Sequence, residues 1–222
     1  MDAPVRLSST KASIASVTGE KPLAVEKARA LRRLKNKMEY LLINGTAAAG
    51  DTGTARGMAG IDAFITSNVT ARASGTSFTE QELNDIIQQS WDAVGNSYVA
   101  DLIVAPVVIK RRIASFGTNL TRTIPAADKR LTNEVRVYDS EVGQTVKVIA
   151  HKDVRSAAGT LTVLAIREDL SQMAFLTGGN EPHWEEFSKT GYSVKGAYVT
   201  EFTYVDLNEK ANVKRTGYST GL

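Results

Sequence analysis

One unbroken stretch of helix-forming residues, positions 22–44, constrains the fold of this chain more than any other feature. Pro22 suits the first turn of a helix, where its missing N–H leaves no hydrogen bond unmade. The interior is mainly Ala, Leu, Lys, Arg, Glu and Met, all strong helix formers. The stretch predicts one helix of about six turns, roughly 33 Å long, that ends at a left-handed Asn44-Gly45 stop. We therefore expect the rest of the 222-residue chain to be organised around it.

This helix is predicted to have one apolar stripe and one basic face. Apolar residues recur at steps of three and four and define the stripe: Ala24, Ala28, Leu31, Leu34, Met38, Leu41 and Leu42. The basic residues, opposed only by Glu26 and Glu39, are Lys27, Arg29, Arg32, Arg33, Lys35 and Lys37. A solvated face is the commonest reason for such a pattern. Contact with nucleic-acid phosphates or with an acidic neighbour is the alternative.

Composition limits the classes of function that this chain can have. A hydrophobic content of 42% supports a real core, and a net charge of +3 is too small to indicate sequence-specific DNA binding. The absence of cysteine excludes disulfides and thiolate chemistry. No apolar run has the length of a membrane span, so no membrane partner is expected.

The remaining pattern predicts helices first and strands later, which indicates an α+β fold. Thr79 and Glu82 form a capping box that opens a second helix, and Gly95 ends it. Expected next are a buried strand at 101–106, a short helix at 107–116, a hairpin of 134–138 with 146–149, and strands at 160–166 and 193–207. Loops are expected at 46–60, 69–77 and 177–191, an extended arm or frayed end at 1–19, and a bulge near Gly196.

No arrangement of residues predicts catalysis. The two histidines, His151 and His183, are isolated, and no set of ligands has the spacing of a metal site. The glycine-rich loop at 53–60 follows a helix and lacks the Gly-Lys-Ser/Thr of a phosphate-binding loop. We therefore predict no catalytic residue, no metal and no cofactor.

Six residues are candidates for contacts between copies of the chain. Arg29, Arg32 and Arg33 lie on the basic helix face, and Asp139 and Glu141 form an acidic tip of the predicted hairpin. Trp184 lies in a polar segment where burial within one subunit is difficult, and tryptophan is a favoured interface anchor.

Several motifs, taken in order, resemble the major capsid proteins of tailed bacteriophages. The resemblance covers about Lys21 to Ala211 and rests on the order and spacing of the motifs. They are KARALRRLKNKMEYLLINGT from position 27, RGMAGIDAFI from 56, FTEQELNDIIQQSWDAVG from 78, ADLIVAPVVIKRRIASF from 100, VRVYDSEVGQTVKVIAHKDV from 135, and KTGYSVKGAYVTEFTYVDLNEKA from 189.

The resemblance implies the shell-forming fold named after phage Hong Kong 97, which encapsulins share. That fold has a long spine helix, a peripheral β hairpin and a compact axial domain. It implies an N-terminal arm remnant at 1–19, the spine helix of the peripheral domain at 20–55, a mainly axial domain at 56–118, the peripheral hairpin at 119–158, and late strands of unassigned domain at 159–222. Family members carry an arm and an extended loop before the spine helix, whereas about twenty residues precede it here. A processed, partial or shortened chain is therefore expected.

The implied function is that of a virion structural protein and not an enzyme. Copies would associate into pentamers and hexamers that form an icosahedral head around packaged double-stranded DNA, with portal, scaffold or cement proteins as further partners. The protein would belong to the virion, and to the host cytoplasm during assembly. The alternatives are an encapsulin-like cellular compartment shell and, last, a small hydrolase with a site near His151 or His183.

Overall fold

The computed structural model describes residues 1–14, 21–116, 137–154, 160–176, 181–188 and 191–219. The helices are α1 (Ser9–Ser13), α2 (Pro22–Asn44), α3 (Ile61–Phe64), α4 (Glu80–Val94) and α5 (Val107–Phe116). The strands are β1 (Asp2–Ser8), β2 (Val69–Thr76), β3 (Leu102–Ala105), β4 (Val137–Asp139), β5 (Thr145–Ala150), β6 (Thr160–Ile166), β7 (Ser171–Phe175), β8 (His183–Glu186), β9 (Ser193–Val199), β10 (Phe202–Asp206) and β11 (Val213–Ser219). Two short 3₁₀ turns lie at Glu168–Leu170 and Glu209–Ala211. The mixture of helices and sheets confirms the α+β prediction.

Helix α2 has the bounds that the sequence predicts, with Pro22 in its first turn. Its end differs from the prediction, because Gly45 is not left-handed: its φ is −57°, and its N–H donates to the Leu41 carbonyl at 2.8 Å. The buried side chains are Ala30, Leu34, Met38 and Ile43. Ala24 and Ala28, predicted in the apolar stripe, are exposed. The true stripe is therefore rotated from the predicted one in the first half of the helix.

The chain divides into two compact units. The first unit comprises Met1–Ala59 and Met173–Val205, and the second comprises Gly60–Gln172 and Asp206–Leu222. Two of the three boundaries fall within β7 and β10, which pair with each other as a two-stranded sheet, and the third lies between Ala59 and Gly60.

The first unit packs α2 against a three-stranded antiparallel sheet in the order β1-β9-β8. Its core contains Ala3 and Val5 of β1 together with Ala30, Leu34 and Met38 of α2. The expectation of a frayed N-terminal end is wrong for β1, since every residue of the strand pairs with β9. Ala3, Val5 and Leu7 alternate with exposed residues, which is the two-residue period of a half-buried strand.

The second unit is built on a six-stranded mixed sheet in the order β2-β11-β6-β3-β5-β4. Its apolar cluster joins this sheet to α4 and α5 through Leu83, Ile86, Ile87, Ile109 and Ile113. The predicted N-cap is confirmed, because the Thr79 hydroxyl accepts the Glu82 N–H at 3.3 Å. The predicted bounds of α5 and β6 are confirmed as well, and β3 lies within its predicted range.

Two strands of this sheet were not predicted from the sequence. Residues 69–77 were expected to form a loop but contain β2, which pairs in parallel with β11. Strand β11 itself was not predicted, although it lies between β2 and β6. Its register shifts between Thr216 and Tyr218, so the strand does not keep a strict two-residue alternation.

The predicted hairpin forms between β4 and β5, which are antiparallel. Predicted residues 134–136 lie outside the described residues. On its other side β5 pairs in parallel with β3, so the hairpin belongs to the same sheet as the segment expected to be mainly axial. The division into peripheral and axial segments therefore stays a prediction.

The segment predicted as a loop at 177–191 contains a strand, β8, which pairs with β9. No bulge occurs at Gly196, whose register is continuous with both neighbouring strands. Glycine is needed at this position because a Cβ would meet the Trp184 ring and come within 2.5 Å of the Glu185 carbonyl oxygen.

Candidate assembly surfaces

The outer face of α2 carries a row of exposed cations. Arg32, Arg33, Lys35 and Lys37 are exposed and form no ion pair within the described part of the chain. Arg29 differs, because its guanidinium forms a 2.8 Å ion pair with Glu26 one turn earlier. Since Arg29 is exposed, this pair is worth a few tenths of a kcal/mol at most and leaves the face net positive.

Lys27 was predicted on this basic face but lies on the packed side of the helix. Its ammonium sits 4.2 Å from the centroid of the Trp184 ring. The apolar stem of a lysine can cover hydrophobic surface while its charge is attracted to the face of an aromatic ring. Lys27 therefore helps to hold α2 on the sheet of the first unit.

Trp184 does not lie in a polar loop, as the sequence predicted, but in β8. Its ring packs against the α2–β1 core and meets Tyr198 edge-to-face, with centroids 5.3 Å apart and planes at 68°. One subunit thus partly buries this side chain, which the sequence predicted to be difficult. A contact between chains through Trp184 stays a prediction. Because part of the ring packs against the α2–β1 core, less of its surface is free for such a contact than the sequence suggested.

The acidic tip of the β4–β5 hairpin is held by a tight turn. Ser140 bonds to Gln144 through backbone and hydroxyl, and Gly143 supplies the required positive φ of +79°. The Asp139 carboxylate accepts the Thr145 hydroxyl at 3.0 Å, and Glu141 is exposed. Asp139 and Glu141 therefore lie together in the second unit, whereas Arg29, Arg32, Arg33 and Trp184 lie in the first.

A polar cluster around Glu82 links α4 to β2 and β11. Its residues are not among the candidates predicted from the sequence. The Glu82 carboxylate accepts hydrogen bonds from Arg215 and Tyr218, each at 2.8 Å, and forms a 2.8 Å ion pair with Arg72. Arg215 is almost fully buried. The capping box is therefore only half formed, since the carboxylate expected to reach back to the helix start is used here instead.

Burial, hydrogen bonds and neighbouring charges shift the pKa values of Glu82 and Tyr218 in this cluster. Burial by itself raises the pKa of Glu82, but hydrogen bonds from Tyr218 and Arg215 and the charges of Arg215 and Arg72 outweigh it, so the pKa is lowered. Burial, followed by the hydrogen bond to Glu82, raises the pKa of Tyr218 well above its ordinary range. Glu82 is therefore ionised and Tyr218 neutral at physiological pH, as a structural contact requires.

Neither histidine belongs to a constellation of reactive groups. His151 Nδ1 accepts the backbone N–H of Asp153 at 3.1 Å. His183 contacts the Glu181 carbonyl at 2.8 Å and a Glu185 oxygen at 3.2 Å, and these two hydrogen bonds, in that order of size, raise its pKa. No group of three or more potential metal ligands occurs among the described residues.

No helix in the described ranges is both long enough and apolar enough to cross a membrane.

The glycine-rich loop after α2 closes on itself through two antiparallel bridges, Ala48 with Gly57 and Asp51 with Thr54.

Solved structures with a similar fold include an encapsulin and a phage capsid. The chain matches the SrpI encapsulin of Synechococcus elongatus PCC 7942 with a TM-score of 0.69 and 11% identity, covering 100% of this chain and 74% of the encapsulin chain. The capsid of Myoviridae phage XM1 matches with a TM-score of 0.62 and 14% identity over 98% and 72%. The Gordonia phage Cozz structure matches with a TM-score of 0.58 and 15% identity over 97% and 68%. The fold is therefore the Hong Kong 97-type shell fold.

Within that class, the family is assigned by sequence. The model of the SU10 major capsid protein family matches residues 1–219, so the chain belongs to that family. It is a structural protein of the bacteriophage virion, not an enzyme, and it assembles into a multimeric shell. A search of the curated proteins found no significant match.

Proposed function

We propose that this major capsid protein forms pentamers and hexamers that close into an icosahedral head around packaged double-stranded DNA. Membership of the capsid family carries this proposal. One chain must then use different surfaces that complement each other, because such heterologous contacts generate rings and closed shells. Assembly in the host cytoplasm, and contacts with portal, scaffold or cement proteins, belong to the same proposal.

The outer face of α2 is the surface that we assign to a neighbouring subunit. Its exposed cations, Arg32, Arg33, Lys35 and Lys37, form no ion pair with any described residue and lie on a helix of 23 residues that is packed along one side. A rigid row of like charges repels the same row on another copy and attracts an acidic surface. Such charge complementarity determines which surfaces pair, and in which register, more than it raises the affinity. The exposed Asp139 and Glu141 at the tip of the β4–β5 hairpin have the charge that such a partner surface requires.

Charge reversal at two exposed positions tests this assignment. We expect Arg32→Glu with Arg33→Glu to reduce the assembled fraction strongly while leaving the fold intact, as measured by light scattering, negative-stain imaging and far-ultraviolet circular dichroism. The matched control is Lys152→Glu with Lys210→Glu, which makes the same charge change at exposed positions of the second unit. Normal shells from the first variant would exclude the α2 face from assembly.

The likeness to an encapsulin shows the fold alone and does not favour a cellular compartment. The proposed head around packaged DNA predicts that purified native particles contain nucleic acid. Particles that instead enclose a protein cargo would contradict the head proposal.

A further inference from the structure

The second unit has a polar cleft of about 520 Å³ between β2 and α4. Asn68 and Thr70 line the cleft on the β2 side, and Asp85, Gln88 and Asp92 line it on the α4 side. Because these three α4 residues are three and four positions apart, they share one stripe of the helix surface. The cleft is therefore one continuous surface, built from two neighbouring elements of the same unit.

This cleft has one negative charge in excess. Arg72 and Arg215 each bind the Glu82 carboxylate at 2.8 Å. Both guanidinium groups also lie 3.8 Å from the carboxylate of Asp85, so they balance the charges of Glu82 and Asp85 together. The third carboxylate, that of Asp92, is exposed and forms no ion pair with any described residue. The cleft is thus complementary to a single cationic side chain.

Helix α5 carries charge of the opposite sign on its outer face. The helix contains three basic residues and no acidic residue. Ile109 and Ile113 pack into the core of the unit. The exposed outer row, at steps of four residues, consists of Val107, Arg111 and Ser115. Arg111 forms no ion pair within the ranges that the structure describes, so its guanidinium is available to a carboxylate of another molecule.

The cleft and α5 lie towards opposite edges of the second unit. Strands β2 and β4 are the two ends of its six-stranded sheet. Helix α4 packs on β11, the neighbour of β2, whereas α5 packs on β5, the neighbour of β4. Complementary surfaces towards opposite edges of one unit allow a head-to-tail contact that repeats from copy to copy, which is the geometry of a ring.

We propose that Arg111 of one copy enters the polar cleft of the next copy and pairs there with Asp92. A guanidinium has five N–H donors in a rigid fork, so it can bind the Asp92 carboxylate and the side-chain carbonyl of Gln88 together. Val107, one turn before Arg111, is half exposed and is covered by the same contact. The inference rests on the proposed function and names a contact within its pentamers and hexamers.

Exchange of the two charges gives the first test. Arg111→Glu and Asp92→Arg should each reduce the assembled fraction at least about tenfold, because each places like charges in the contact. The two changes combined in one chain restore opposite charges, so assembly should recover to within about threefold of wild type. Light scattering measures assembly, and melting curves verify that each variant folds.

The matched control for the single variants is Lys210→Glu, which reverses a charge at another exposed position of the second unit. Single variants that assemble as well as this control would overturn the contact. So would a folded double variant that assembles no better than either single variant.

Cross-linking gives the second test and leaves Arg111 and Asp92 unchanged. The chain contains no cysteine, so every linked thiol is an introduced one. Copies with Ser115→Cys, on the outer row of α5, are mixed with copies carrying Ala93→Cys, which lines the cleft. They are assembled and treated with a short bifunctional thiol reagent, because a contact through a long side chain holds the backbones further apart than a disulfide allows.

We expect a covalent dimer on a denaturing gel from this mixture and not from either variant alone. The competing mixture pairs Ser115→Cys with Glu141→Cys at the tip of the β4–β5 hairpin, which is the other acidic surface of the second unit.

The outcomes separate the two proposals. A dimer from the Ala93 mixture supports the contact, and a dimer from the Glu141 mixture alone overturns it. Shells that form with no dimer in either mixture also overturn the contact but leave the proposed function intact. Wild-type protein that forms no shell overturns both.

Discussion

Glu82 shows at the scale of one residue how a side chain can be held by several partners at once. Its backbone N–H is capped by Thr79, while its carboxylate binds Arg72, Arg215 and Tyr218. A buried carboxylate is stable only when its charge is paired and hydrogen-bonded. These contacts fasten the edge strand β2 to α4.

Loss of the Glu82 charge should destabilise the protein. Removing one partner of a buried ion pair leaves the other charge uncompensated, so we expect Glu82→Gln to lower the free energy of unfolding by about 3 kcal/mol at about pH 7. The measurement is urea unfolding followed by circular dichroism. Glu80→Gln is the matched control, because Glu80 is exposed in the same turn of the helix.

The same variant has a defined pH dependence. Because folding lowers the pKa of Glu82 below its ordinary value of 4.5, the stabilisation is fully present above that value and disappears as pH falls through the lowered pKa. The difference between wild type and Glu82→Gln should therefore shrink as the pH falls below about 4.5. A difference that is constant with pH would contradict this role.

At the scale of elements, β1 is integral to the first unit. It pairs with β9 along its whole length and adds Ala3 and Val5 to the core under α2. Strand β8 flanks β9 on the other side and is fixed by Trp184. The sheet thus supports α2.

A charge on the inner side of β1 should unfold this unit. An unpaired carboxylate buried beside Leu34 costs several kcal/mol, so Val5→Asp is expected to lower the melting temperature by at least about 10 °C. Arg6→Asp, one residue further along, faces solvent and is expected to have little effect. Equal melting curves for the two variants would show that β1 is not packed in solution. Differential scanning calorimetry makes the comparison.

At the scale of the whole molecule, charges of opposite sign are gathered on separate surfaces of the described chain. The outer face of α2 in the first unit carries exposed cations, and the tip of the β4–β5 hairpin in the second unit carries the exposed Asp139 and Glu141. Such an arrangement steers copies together and discourages like surfaces from meeting. The net charge of +3 does not reveal it, because the charges of opposite sign nearly cancel in the total.

Salt should therefore slow assembly. Raising NaCl from about 0.05 M to about 0.5 M shortens the screening length severalfold, so we expect the initial assembly rate to fall about tenfold. Time-resolved light scattering measures this rate. The Arg32→Glu, Arg33→Glu variant should lose most of the salt dependence; a variant that keeps it would place the steering charges elsewhere.

The features predicted correctly from sequence are those carried by local signals. Helix α2 follows from Pro22 and a run of helix formers, α4 from the Thr79 cap and Gly95, and β6 from a continuous apolar run. The capsid family was indicated by the resemblance of several sequence motifs, taken in their order and spacing, to phage major capsid proteins. In each case the decisive residues are neighbours in the chain, because helix hydrogen bonds and caps close within four residues.

Tertiary structure alone decided which strands pair and which aromatic residues are free. Strands β1 and β9 are far apart in the sequence, as are β2 and β11, and strand hydrogen bonds leave no local mark of their partner. Lys27 lies on the packed side of α2 because Trp184 provides a ring for it. Trp184 is partly buried against α2, whereas Phe187 and Tyr192 are exposed, and only packing between distant segments determines such an outcome.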